Sequence, residues 1–226
     1  MGYLHEGHLS LIRESKKNCD VTIVSIFVNP TQFGPSEDFN SYPRDIEKDN
    51  KLLENEKVDY LFLPSAEEIY PKNFQTYVNV KSITKKLEGE FRPTHFRGVS
   101  TVVLILLNCV RPDYAYFGQK DAQQLAVINQ MVKDLKMDVK IIGCPIVREK
   151  DGLAMSSRNV YLSSAKRKDA LVLYRSLELA KKIISSGEKS ANIILSEMNQ
   201  LISKAPSAKP NYIKIVEADS FEIVDD

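Results

Sequence analysis

The chain has no excess of either charge. Its 31 lysines and arginines face 30 aspartates and glutamates, so no global field points to nucleic acid or to an anionic membrane surface. It also has no apolar run of bilayer length. The longest, "VSTVVLILLNCV" at 99–110, falls short of the roughly 20 residues that a membrane-spanning helix needs, and no signal peptide is expected ahead of the first motif. Cysteine is scarce: Cys19, Cys109 and Cys144 are odd in number, far apart and set in mostly apolar runs. They read as reduced core thiols of a cytoplasmic protein, which sets aside a disulfide frame and a cysteine metal site. Internal repeats and low-complexity segments are absent. Histidine is scarce too, and His5, His8 and His95 all fall in glycine-containing loops or helix starts.

What is present is an alternation. "VTIVSIFV" (21–28), "VDYLFLP" (58–64), "YAYFG" (114–118) and "VKIIGCPIV" (139–147) read as buried strands, being short, apolar and rich in β-branched or aromatic residues. Helical patterns over 8–18, 44–56, 98–110 and 121–136 lie between them; the last opens on Asp121, suited to an N-cap, and repeats Leu125, Ile128, Met131, Val132 and Leu135 at helical spacing. Such alternation implies an α/β domain with a parallel sheet covered on both faces. Past Val147 the texture changes. A polar loop leads to helices at 163–186 and 190–204 and a strand-like "NYIKIVEA" at 211–218, which puts a domain boundary at 146/147.

Four stretches could carry chemistry. "HEGH" is H-x-x-H and lacks the i, i+4 spacing of a zinc protease. Gly7 allows close backbone approach, and a helix start offers free N–H groups and a positive dipole end to a phosphate; His5 and His8 could donate to phosphoryl oxygens as charge builds. Two solvated imidazoles at a helix start are the alternative. "FVNPTQFGPSED" places Asn29 and Gln32 beyond a strand's carboxyl end, where open parallel sheets bind ligands, although an Asn-Pro turn explains the same letters. "YFGQKDAQQ" repeats the arrangement. Lys120 supplies a cation, Asp121 can cap the helix or bind a ribose, and Gln124 follows one turn later; a capped helix with a solvated lysine is the alternative. In "AMSSRN", Ser156 and Ser157 as neutral donors and Arg158 as a forked cation could clamp a polyphosphate from a mobile loop, or stand in solvent. "LEGEFRPTHFRGVS" (87–100), with Arg92, His95 and Arg97, reads by default as a solvated loop that could also cover an anion or support a subunit contact. Together these are parts of an adenylate-forming nucleotidyl transferase, in which catalysis is charge stabilisation and positioning.

In this order, "MGYLHEGHLSLIR", "SIFVNPTQFGPSEDFNSYPRD", "RPTHFRGV", "PDYAYFGQKDAQQL" and "VREKDGLAMSSRNVYLS" resemble the pantothenate synthetase (pantoate–β-alanine ligase) family over nearly the whole chain. The resemblance implies a cytoplasmic homodimer with a Rossmann-like nucleotide- and pantoate-binding domain over 1–146 and a smaller α+β C-terminal lid over 147–226. It implies condensation of pantoate with β-alanine: ATP and pantoate give a pantoyl adenylate and pyrophosphate, and the amine then displaces AMP. Mg²⁺ assists, held mainly through the phosphates, and no protein metal site is read. Met1, Gly2, Tyr3, Leu4, His5, Glu6, Gly7 and His8 match the first ATP-binding segment, with His8 where the family has its proton donor. Gly118, Gln119, Lys120 and Asp121 match the second nucleotide segment, Val147 a backbone contact to adenine, and Met155, Ser156, Ser157 and Arg158 the phosphate clamp. Gln32 matches the glutamine touching pantoate and β-alanine, and Gln124 one that holds pantoate. His5, His8, Lys120, Ser156, Ser157 and Arg158 are the expected catalytic set.

Tyr3 stands where the family has a small residue, and Gln119 where it often has glutamate. The family has a strand ahead of Met1 and further strands after the last residues here, so a fragment with its first strand missing is expected. Two other readings stay open. One is a nucleotidyl transferase for another small acid, the other a non-catalytic ATP-binding remnant.

Overall fold

In the computed structural model, which describes residues 1–224, the four apolar runs do form strands. The ladders are shorter than the runs. β1 (Ile23–Ser25) pairs in parallel with β2 (Tyr60–Phe62), and β3 (Tyr114–Gly118) with β4 (Lys140–Cys144). The expected single sheet is therefore two parallel pairs, because the hydrogen-bond ladder does not run on from one pair to the other. Burial differs as well: Ile23 and Tyr60 are exposed. An apolar run records a strand's composition, and whether a layer covers each face is settled only by packing.

The first unit, Met1–Ile146, carries helices α1 (Glu6–Asn18), α2 (Ile46–Asn55), α5 (His95–Val110) and α6 (Ala122–Asp134), with single-turn helices α3 (Ala66–Ile69) and α4 (Glu88–Phe91). One core joins α1 to the β1–β2 pair and α2 through Leu4, Leu9, Ile12, Ile26 and Leu53, with Val24 and Leu61 against it. Burying each such side chain contributes roughly 1.5–3 kcal/mol, which fixes α1 and hence the loop before it. α6 buries Val127, Ile128 and Met131 almost completely and packs on α5, β3 and β4.

The stretch 87–100, read as a solvated loop, is mostly helical, and half of it is buried. α4 occupies its first part, and α5 starts at His95, three residues before the apolar repeat begins. The bounding glycines and the basic residues suggested a loop, but the one proline of the stretch, Pro93, lies just outside the helix, where its missing N–H costs nothing. Cys109, expected in the core, is exposed near the end of α5, while Cys144 is buried.

The second unit, Val147–Asp226, contains α7 (Ser164–Ser185) and α8 (Ala191–Ile202), which pack on each other. Ser163 and Ser190 cap them, each accepting an N–H of the first turn. The strand expected at 211–218 is absent. Val216 and Ile223 form only an isolated antiparallel bridge across a tight turn, with Glu217 N–H bonded to the Glu222 carbonyl.

Candidate active site

The geometry of "HEGH" differs from a helix start with free amides. His5 is the N-cap of α1 and accepts the Gly7 N–H at Nδ1, 3.1 Å away, while the His5 N–H points to His8 Nδ1 at 3.3 Å. The His8 N–H is taken by the His5 carbonyl at 2.8 Å. The two rings lie 4.0 Å apart between centroids. This is a capping box built from two imidazoles, and it occupies the N–H groups of His5, Gly7 and His8, where the sequence suggested a helix start with free N–H groups. It also sets the rings' protonation. A backbone N–H can only donate, so each Nδ1 is a lone-pair acceptor and the proton of each neutral ring sits on Nε2. Burial pushes His8 down to about 3, with the charges of His5 and Lys120 adding to it. Burial, then Lys120, also lowers His5. Both rings are neutral near pH 7, and each carries one N–H donor.

Asp49 holds the preceding loop. It is a fully buried carboxylate on α2 that accepts the N–H groups of Tyr3 at 2.7 Å and Leu4 at 2.6 Å. Gly2 and Tyr3 both adopt positive φ, 83° and 51°, and the two charge-assisted bonds hold Tyr3 in a conformation that a non-glycine residue rarely takes. Lys48 Nζ sits 4.5 Å from the Tyr3 ring centroid, so the departure at Tyr3 places a cation–π contact beside the site. Leu4 lies in the core, and exposed Glu6 is paired with Arg13. The sequence reading missed Asp49, although a signal exists. It lies three and four residues before Leu52 and Leu53, an acid on the apolar face of its helix.

Gln32 closes a 3₁₀ turn, Pro30–Gln32, that follows β1. Asn29 is almost wholly buried and saturated. Its Oδ1 accepts from Thr31 N–H, Thr31 Oγ1 and Tyr70 OH, at 3.3, 3.0 and 2.8 Å. Its Nδ2 donates to the Gly98 carbonyl at 3.1 Å and to Gln32 Oε1 at 3.2 Å. The Thr31 N–H thus fixes the Asn29 amide, and Asn29 fixes the Gln32 amide with Nε2 directed at Met1 Sδ, 3.0 Å away. Asn29 is a structural hub here, and Gln32 is the oriented group.

Gly118 ends β3, and Gln119–Asp121 form a 3₁₀ turn before α6. A Cβ at Gly118 would meet nothing within 4 Å, so the space beside this strand end is open. Lys120 lies within electrostatic reach of both imidazoles and bonds Asp121 at 3.2 Å. Asp121 holds the N-cap position of α6 but makes no side-chain cap bond, because its carboxylate turns to Lys120. Gln124 is half-buried on the first turn of α6, and Gln119 is exposed.

The phosphate-clamp residues belong to the second unit. Met155 N–H bonds the Val147 carbonyl at 3.0 Å, and Arg148 pairs with Ala154 across the hairpin. Ser156 Oγ accepts the Arg158 N–H at 3.3 Å as the cap of the turn Ser157–Tyr161, which leaves its hydroxyl proton to donate elsewhere, and Ser157 is buried. Arg167 reaches Glu149 at 2.7 Å and Asp151 at 2.9 Å, and Asn159 ties Glu149 to the Ala154 carbonyl. A segment expected to be a bare mobile loop is thus fastened at its base.

The structure brings His5, His8, Lys120, Gln32 and the Met1–Leu4 loop into one region of the first unit. Comparison with known proteins identifies the family. The family model for pantoate-beta-alanine ligase matches residues 1–225. Pantothenate synthetase of Caldicellulosiruptor bescii is 62% identical over 224 residues, 99% of this chain and 79% of that one. The crystal structure of pantoate-beta-alanine ligase (pantothenate synthetase) from Thermus thermophilus superposes with a TM-score of 0.98 at 46% identity, covering all of this chain and 82% of the other. A pantoate-beta-alanine ligase from Francisella tularensis, crystallised with a β,γ-ATP compound and β-alanine, matches with a TM-score of 0.77 at 40% identity over 89% of this chain and 75% of that one. The fold is accordingly α/β and Rossmann-like with a C-terminal domain, and the chain belongs to the pantoate–β-alanine ligase family.

Proposed function

We propose that the chain condenses pantoate with β-alanine at the expense of ATP. The observation that carries this reading is the pair of neutral imidazoles, each with a fixed Nε2–H, beside Lys120. In the first step a pantoate carboxylate oxygen bonds to the α-phosphorus of ATP as the bond to the pyrophosphate oxygen breaks. The five-coordinate phosphorus gathers negative charge on its oxygens. His5 and His8 meet that charge as hydrogen-bond donors, and Lys120 meets it as a full charge. His8, held near pKa 3 by burial first of all, keeps its single proton through the step, so its part is to donate a hydrogen bond while the proton stays on nitrogen.

Gln32 presents Nε2 as a donor to the acid, with Gln124 as its counterpart on α6. In the second step the amine of β-alanine attacks the acyl carbon of the adenylate, the bond to the phosphate oxygen breaks and AMP leaves; Gln32 also serves β-alanine. In the first unit Gly2–Leu4 and Gly118–Asp121 are the nucleotide-binding segments; in the second, by the family resemblance, the Val147 backbone serves adenine and Met155–Arg158 a phosphate clamp. Mg²⁺ would arrive with ATP and be held mainly through the phosphates, in keeping with its reluctance to shed water. A homodimer and a cytoplasmic site of action rest on the family resemblance.

The test is pantoate-dependent exchange of labelled pyrophosphate into ATP without β-alanine, followed by β-alanine-dependent release of AMP. Exchange with pantoate and ligation on adding β-alanine are expected. Exchange only with another hydroxy acid would assign a different substrate, and ATP binding without any exchange would leave a nucleotide-binding remnant.

A further inference from the structure

The segment 87–98 has no role in the reaction as described, yet its side chains converge on one peptide group. Arg92 Nη2 donates to the Gln32 carbonyl oxygen at 3.2 Å, and His95 Nδ1 bonds the same oxygen at 3.0 Å. Arg92 Nη1 faces His95 Nε2 at 3.5 Å. A guanidinium has donors only, so Nε2 is the lone-pair nitrogen and the His95 proton sits on Nδ1, aimed at Gln32. The tautomer is the opposite of that in His5 and His8.

Arg92 is itself anchored from two sides. Glu37 takes its Nε at 3.0 Å and pairs with Nη2, and Glu88 takes Nη1 at 3.3 Å. Glu37 lies five residues after Gln32, so one guanidinium ties both ends of the segment that carries the glutamine. Gly98 supports it from below. A Cβ there would stand 2.7 Å from the Gln32 nitrogen and closer still to the Thr31 carbonyl oxygen, a spacing that only glycine allows. Two donors and one backbone contact therefore fix the Gln32 peptide, while Asn29 fixes its amide.

We infer that Arg92 and His95 are positioning residues that hold Gln32 where its amide meets the acid substrate. This rests on the reading of Gln32 as an acid-binding residue. A purely structural role would lower the stability of the whole unit and burden ATP and acid alike. A positioning role burdens the acid, because a misplacement of about 1 Å at such a group costs on the order of 10²-fold.

The experiment measures pantoate-dependent ATP–pyrophosphate exchange and melting temperature for Arg92→Lys, His95→Leu and His95→Asn, each alone and combined with Gln32→Ala. His95→Leu and Arg92→Lys are expected to lower kcat/KM for pantoate on the order of 10²-fold with KM for ATP unchanged. His95→Asn, which keeps a donor near the Nδ1 position, is expected to recover most of that loss. In the Gln32→Ala background none of the three should lower the rate further. Equal losses in both backgrounds, a matching rise in KM for ATP, or an asparagine no better than leucine would overturn the inference. If Gln32→Ala alone leaves pantoate kinetics untouched, the reading of Gln32 fails and this inference falls with it. If Gln32→Ala abolishes exchange, the split between the two KM values in the single variants decides.

Discussion

Asp49 and Leu4 meet at 2.6 Å, carboxylate to backbone N–H, in the interior of the first unit. With the matching bond to Tyr3, one side chain of α2 fixes the loop that ends in the two histidines. Asp49→Asn offers one oxygen where two N–H groups need acceptors and turns an NH₂ toward the other. A loss of roughly 2–3 kcal/mol is expected from the charged bond forfeited and the donor stranded. Thermal unfolding should show it, together with a higher KM for ATP. Unchanged stability would mean that the loop holds itself.

His8→Ala removes one pre-organised donor. The adenylation step, read by pyrophosphate exchange, should slow about 10²–10³-fold, or roughly 3–4 kcal/mol. Lys120→Met should cost a comparable factor, with the defect partly relieved by raising ATP for the lysine variant only, since Lys120 also attracts the nucleotide. An unaffected rate in the His8 variant would remove the imidazole pair from the mechanism.

Protonation gives an independent check. His8 has a folded pKa of about 3 against an ordinary 6.5, so below 6.5 the unfolded chain binds the proton that the folded chain refuses. Stability is full above that value and falls as pH drops. Between 6.5 and about pH 4.5 the loss from His8 should be roughly 2–3 kcal/mol, with His5 and His95, both lowered chiefly by burial, adding in the same direction. Melting temperature followed over that range should decline, and His8→Asn, which keeps an acceptor but cannot titrate, should flatten the decline. A slope equal to that of the parent chain would contradict the assigned state of His8.

Gly98→Ala drives a methyl into the Thr31–Gln32 peptide. Overpacking of this kind costs about 1–3 kcal/mol, and the displaced turn should raise KM for pantoate while KM for ATP holds. A variant that loses stability but keeps its pantoate kinetics would show that the turn tolerates the shift.

Much of the site was legible because its signals are local. A glycine between two histidines at a helix start, polar residues just past apolar runs, and a lysine before a helix each combine turn chemistry with function within a few residues. Non-local pairing hid the rest. Arg92 and His95 sit in a glycine-bounded basic stretch that reads as a loop, and only tertiary contact shows their target to be the Gln32 carbonyl. Asp49 looks like any helix acid until α2 is docked. The runs around β1 and β2 predicted longer strands because composition extends past the three-residue ladder that pairing selects. At 211–218 the alternation is strand-like, but without a neighbour beyond the Val216–Ile223 bridge no strand forms.

The imidazole capping box has one more consequence. The amides of His5 and Gly7 that a helix would ordinarily turn toward an anion are spent on ring nitrogens, so in the proposed reaction the polarity of α1 would reach a phosphate through the far side of each ring. Glycine in place of His5 frees the Gly7 amide, and glycine in place of His8 frees the amide of His5. The residual rate of the chain with both replacements then measures how well a helix end serves the reaction without an imidazole, and the distance from there to the parent rate is the advantage of meeting the substrate through histidine.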